Sequence, residues 1–190
     1  DKAITVESTN GAAVTKLRRN TGGSYRVLKL NNAGAVVKRL TLENGYAYEL
    51  ENGVLEVRRG GGAYVIAGAL ADCTIANCLG DYAQGAGFYL TSGLVTNCVV
   101  KDCVQNGIPV LGIGGHVAGG EVVDCVFSGN RIAANVSDNN WGGGLHLASG
   151  TVRRCVLYNN QLGFGRGAGM SMVGGLAESC VISNNITQYQ

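Results

Sequence analysis

Gly142-Gly-Gly-Leu-His-Leu-Ala-Ser-Gly-Thr-Val-Arg-Arg-Cys155-Val-Leu-Tyr-Asn-Asn160 is one of five versions of a single pattern, the others being anchored at Cys73, Cys98, Cys125 and Cys180. In each version a glycine stands 13, 11 and 5 residues before the cysteine, as in Gly85, Gly87 and Gly93 before Cys98. The anchors are 25, 27, 30 and 25 residues apart. A period of this size marks a solenoid, in which each unit buries its apolar side only against its neighbours.

Within the unit the apolar residues alternate, which is strand periodicity. Ala63, Phe88, Gly115, Leu145 and Met170 form one set, and Val65, Leu90, Val117, Leu147 and Met172 a second; both face inward. Between them lie Tyr64, Tyr89, His116, His146 and Ser171, which face out. A second strand carries the cysteines, followed two residues on by Ile75, Val100, Phe127, Leu157 and Ile182. Leu70, Val95, Val122, Val152 and Ala177 stand three residues before the cysteine, an odd step that requires a bend if both face inward. Asn159-Asn160, Asn184-Asn185, Gly129-Asn130, Asn77-Cys78 and Asp102-Cys103 form a polar corner. Asn tolerates the left-handed region, and Asn side chains in register can bond along a stack.

Frequent glycine, frequent valine and a single proline disfavour helices. The expectation is an all-β chain of three short strands and three corners per coil. This is a right-handed parallel β-helix of about seven coils of roughly 25 residues, stacked about 4.8 Å apart. It spans residues 1–190 as one domain, with irregular early coils over 1–59 and five regular repeats over 60–190. In the early part, strands are expected at Ile4 to Val6, near Val14, at Tyr25–Leu30, at Val36–Leu42 and at Val54–Val57 after an Asn52-Gly53 turn. Arg18 to Gly23 should turn, and Leu40 takes the later cysteine position.

The pattern GxG-apolar-x-apolar, Gly-x-Val-x-x-Cys-x-Ile and Asn resembles the bacterial right-handed parallel β-helix repeat proteins of the pectate-lyase-like superfamily, especially its secreted and surface members. The similarity runs from Gly60 to Asn185 and more loosely upstream. It implies an extracellular or cell-surface, bacterial setting. Enzymes of that superfamily carry tight Asp clusters with Arg or Lys on one face, and no such cluster can be assigned here.

Seven cysteines in a secreted chain raise the question of disulfides. Cys73, Cys98, Cys125, Cys155 and Cys180, stacked with parallel Cβ vectors, read instead as a reduced core ladder. Cys78 and Cys103 share the corner position on neighbouring coils, where a bridge is open. Spacings typical of zinc sites are absent, so no metal and no cofactor are expected.

Net charge is +2, which does not suggest nucleic acid. The excess of base is confined to residues 1–60, largely in Arg18-Arg19, Lys38-Arg39 and Arg58-Arg59, read as solvated edges. No stretch is long enough to span a bilayer. The chain opens almost directly on a strand and stops before a further GxG, so a processed form or an excised piece is expected, bounded by further coils or by stacked copies.

Length variation between coils falls only in Leu79–Gln84, Val104–Leu111, Arg131–Trp141 and Gln161–Arg166, read as loops that build a binding face. Trp141, the only tryptophan, with Asp138 and Arg131 and the nearby Tyr82, Asp81 and Arg166, could hold a sugar; alternatively Trp141 covers a gap left by the long loop. The stripe of Tyr64, Tyr89, His116 and His146 could bind a sugar or a partner, be a cross-strand ladder that stabilises the sheet, or lie under a loop. The outward Thr74, Val99, Val126, Val156 and Val181 suggest something packed against them. Asp72 and Asp124, two coils apart, would suit an inverting glycosidase geometry, but Asn97 and Arg154 beside them look like solvated positions, and no catalytic residue is assigned. Asn135-Val-Ser137 and Asn185-Ile-Thr187 match the glycosylation sequon and matter only in a eukaryotic secretory route. The leading expectation is a non-catalytic structural or adhesive module that stacks with itself, as in a filament, or with neighbouring coils; the alternative is a glycan-binding or polysaccharide-degrading domain.

Overall fold

In the computed structural model, residues 2–20, 23–47, 50–51, 54–55, 58–107, 110–133 and 140–188 are described. Among them there is no helix, and no helix is long and apolar enough to cross a membrane. The strands stack as parallel sheets in a β-solenoid of about six turns, roughly 27 residues apart.

The register is continuous from the first turns to the last. One ladder runs Leu17, Leu42, Ile75, Val100, Phe127, Leu157, Ile182. A second runs Val6, Val37, Leu70, Val95, Val122, Val152, Ala177. Their inner rungs are buried and join Leu90, Phe88 and Leu147 in one core cluster. Burying a side chain of this size stabilises by about 1.5–3 kcal/mol, so coils hold one another chiefly through these rungs.

The odd step before the cysteine is made by a left-handed residue. Asp72, Asn97, Asp124, Arg154 and Ser179 have φ of 50–55°. The polar corner is made the same way by Asn77, Asp102, Gly129, Asn159 and Asn184, with φ of 51–64°. The residue after each turns inward. The glycines 13 before the cysteine are also left-handed, and at Gly112 an added Cβ would lie 1.9 Å from the Gly115 carbonyl oxygen. Gly115 serves a different need: a Cβ there would meet the Phe88 ring at 2.6 Å, so its missing side chain is the space the ring fills.

The coil holds more strands than the expected three. Two further parallel ladders run mostly through the segments read as variable loops: Tyr46–Ala47, Leu79–Asp81, Val104–Asn106, Arg131–Ile132, Gln161–Leu162 and Ile186–Thr187, then Arg58–Arg59, Ala83–Gln84, Val110–Leu111 and Asn140–Trp141. Strands of two or three residues are too short to display alternation. Upstream, the second strand is Lys16–Arg18 rather than one near Val14, which sits exposed in a turn; the strand therefore includes Arg18. Leu28–Lys38 is one long strand with register shifts between Leu30 and Val36. Leu40 does occupy the cysteine position: its carbonyl accepts from the Thr74 amide, and it is buried. The extra strand after residue 53 is Val54–Leu55, paired antiparallel with Leu50–Glu51; Val57 and the Asn52-Gly53 turn lie outside the described residues.

Candidate functional site

Two polar ladders are buried in this tube, and they differ in kind. The first is inside. Asn130 and Asn160 are fully buried. Asn130 Nδ2 donates to Asn160 Oδ1 at 2.9 Å, and Asn160 Nδ2 to Asn185 Oδ1 at 2.9 Å. The same oxygens accept from the backbone: Cys103 N donates to Asn130 Oδ1, Asn130 N to Asn160 Oδ1 and Asn160 N to Asn185 Oδ1. Each amide nitrogen also reaches a carbonyl on the preceding coil, those of Val100, Phe127 and Leu157. Asn185 of the second sequon is thus a structural rung; the sequon at Asn135 lies outside the described residues.

The cysteines continue this interior. All seven are free, six of them buried and Cys180 partly exposed. Cys98 N donates to Cys125 Sγ at 3.4 Å, and the thiols of Cys98, Cys125, Cys155 and Cys180 each lie near the carbonyl two residues before. Hydrogen bonding to Cys125, together with burial, holds Cys98 and Cys155 well above the ordinary thiol range. Cys78 and Cys103 do not bridge: Cys78 Sγ lies 3.3 Å from the Ala76 carbonyl and Cys103 Sγ 3.5 Å from that of Lys101. Stacked corners in strict register leave their Cβ vectors parallel, which is poor disulfide geometry.

The second ladder is the outward stripe, and it is covered. It runs Lys29, Tyr64, Tyr89, His116, His146, Ser171. Tyr89, His116 and His146 are 7%, 4% and 3% exposed. Tyr64 meets Tyr89 edge-on at 5.5 Å, Tyr89 stacks on His116 at 4.7 Å and 3°, and His116 lies 4.9 Å from His146. The cover is the edge ladder Arg59, Gln84, Leu111, Trp141, extended by a bridge to Arg166. Arg59 lies 5.9 Å and 5.0 Å from the Tyr64 and Tyr89 rings, and Trp141 meets His146 edge-on at 6.0 Å. Arg26 sits over Tyr64 and Arg166 over Trp141.

Burial pushes His116 down to about 3, with the neighbouring His146 adding to the effect, and burial likewise lowers His146. Both are neutral near pH 7. His146 Nδ1 is 2.6 Å from Ser171 Oγ, whereas His116 Nδ1 is buried without a hydrogen-bond partner.

The remaining predicted residues are dispersed. Trp141 joins His146 and Arg166. Tyr82 is 57% exposed with a left-handed φ of 53°, beside Arg58, which is paired to Asp81 at 3.0 Å. Arg131 belongs to a different sheet, in register with Val104 and Gln161. Asp138 lies outside the described residues. Asp72 accepts from Asn97 Nδ2, and Asp124 takes a two-pronged contact from Arg154 at 2.7 and 2.8 Å, which lowers its pKa. The basic pairs of the early coils are largely engaged: Lys16 and Arg18 with Glu43, Lys38 and Arg39 with Glu7. Among the described residues no group of three or more His, Cys, Asp or Glu could hold a metal ion. The sequence marked the stripe but not its cover, because Arg59, Gln84, Leu111 and Trp141 share a position without sharing a chemistry.

Comparison with protein-family models, with curated proteins and with solved structures returned no match.

Proposed function

We propose that this chain is a non-catalytic structural module, a bacterial extracellular or surface solenoid that works by stacking. The observation that carries the reading is the exposure of the outermost rungs. Leu17 and Val6 at one face are 39% and 42% exposed, while Ile182 and Ile186 at the other are 52% and 60% exposed. Leu17 and Ile182 belong to one ladder whose inner rungs are buried. A further coil of the same pattern, brought by a second copy or by additional sequence, would be held as the inner coils hold one another. Exposed strand edges and apolar rungs favour such growth, and a head-to-tail contact of this kind does not close. The extracellular and bacterial setting, and kinship with the pectate-lyase-like superfamily, rest on the resemblance of the repeat.

The register makes the contact specific. The ladder Glu7, Lys38, Ala71, Thr96, Val123, Arg153, Glu178 would set Glu7 of an incoming copy beside Glu178. Glu7 is held by Lys38 and Arg39, and Glu178 by Arg153. Salt would screen the like charges and promote assembly. Analytical ultracentrifugation with electron microscopy of the 190 residues tests this: fibres of uniform width, growing with protein concentration and salt, are expected. A monomer at all concentrations would exclude self-stacking. A glycan-binding role has one observation in its favour, the partly exposed Trp141 with Arg166 against its ring. Glycan-array binding that disappears in Trp141→Ala would establish it instead.

A further inference from the structure

The covered stripe has a chemistry that stacking does not use. Two neutral imidazoles lie in contact beneath a thin edge ladder. A neutral histidine carries one donor and one acceptor nitrogen, a charged one two donors. The Nδ1 of His116 is buried without a hydrogen-bond partner. Protonating it would create a buried donor with no acceptor, next to a second imidazole 4.9 Å away.

Several cations lie along the stack. Lys29 is the rung before Tyr64. Arg26 and Arg59 lie over Tyr64, Arg59 also over Tyr89, and Arg166 over Trp141. Asp81, the carboxylate near this edge, is already bonded to Arg58. Arg59 opposes a charge on His116, and so does the neighbouring His146.

The cover itself is slight. Its strands are two residues long: Arg58–Arg59, Ala83–Gln84, Val110–Leu111 and Asn140–Trp141. Every rung of the edge is followed at once by a left-handed glycine: Gly60 after Arg59, Gly85 after Gln84, Gly112 after Leu111, Gly142 after Trp141 and Gly167 after Arg166. The tube behind it keeps its own apolar core and the asparagine ladder.

We propose that the His116–His146 pair is an acid trigger, and that its protonation lifts the Arg59–Gln84–Leu111–Trp141 edge from the stack and uncovers the Tyr89–His146 face while the tube stays closed. Because both histidines are held below their ordinary value, the neutral pair persists near pH 7, and the edge loosens between about 6.5 and 3.

Trp141 is the single tryptophan and reports on the edge directly. Its emission should shift in this pH range while far-UV circular dichroism holds. Hydrogen exchange, corrected for intrinsic rate, should show the amides of Gly85, Gly112 and Gly142 losing about tenfold or more in protection. Those of Val99, Val126 and Val156 should keep theirs. In the double variant His116→Phe/His146→Phe the tryptophan transition should vanish or move down by about a pH unit or more. An unchanged transition in that variant overturns the proposal, as does simultaneous loss of protection in edge and tube. If the variant does not fold, proton NMR of the wild type decides: imidazole resonances of both histidines titrating near 6.5 in the folded state would sink it.

Discussion

The asparagine ladder and the tyrosine–histidine ladder are both buried, both polar and both repeated in register, yet only the first is satisfied along its length. An amide carries donor and acceptor in one plane, and that plane can lie along the stack. Each Asn therefore bonds the next by translation alone. Stacked rings lie across the axis, as Tyr89 and His116 do at 3°, so ring does not bond to ring, and a rung-to-rung hydrogen bond forms where a hydroxyl takes the place of a ring, between His146 and Ser171. Repetition makes a hydrogen-bonded column from amides. From imidazoles it makes a column held by ring contacts that depends on its cover for the rest.

The sharpest way to break this comparison is at Asn160. Replacing it by alanine removes the acceptor of the buried Asn130 amide and the donor to Phe127 and Asn185. With a cost of about 1–3 kcal/mol per buried group left unpaired, a loss on the order of 4 kcal/mol is expected in denaturant unfolding. Next comes acid. The histidines bind protons more weakly folded than unfolded, so the unfolded chain takes up more protons below its ordinary value near 6.5. Stability should therefore fall as pH drops from 6.5 towards 3, by about 3 kcal/mol at pH 4, read from urea melts at each pH. A flat profile would mean that the stripe is not protected from protons.

A smaller effect is expected for His116→Phe. It trades an unpartnered nitrogen for ring area between Tyr89 and His146, and should stay within about 1 kcal/mol of wild type at pH 7 while flattening the acid slope. The smallest is Arg154→Ala. Its partner Asp124 is exposed at a corner, so the unfolding midpoint should not move measurably, although the carboxyl of Asp124 should return towards its ordinary pKa by NMR titration.

The inner ladder was legible in sequence because glycine, cysteine and asparagine recur at fixed spacing, and each answers a backbone demand that few other residues meet. A bend or bulge before the cysteine followed from the odd step between Val152 and Cys155 and between the matching pairs of the other coils, although not the left-handed residue that makes it. The two short ladders between coils were not legible: Gln161–Leu162 and Asn140–Trp141 hold a single alternation each and are set by their neighbours, not by their own pattern. For the same reason the stripe read correctly as facing away from the tube, and its burial under a loop was one of several readings left open, with the covering residues unidentified. Which residue covers a ring depends on loop length, and loop length is where these repeats differ.

The bonds that join one coil to the next all run along the long axis, as from Val99 to Cys73, Val126 to Cys98 and Val156 to Cys125. A force applied at the two ends would therefore load these contacts in series rather than in parallel. Coils would peel off an end one at a time, since each is held only by its neighbours. With roughly 27 residues per turn, each event would release about 90 Å of extended chain. The solenoid would then act as a molecular shock absorber, lengthening in even steps and rewinding on the rungs that remain.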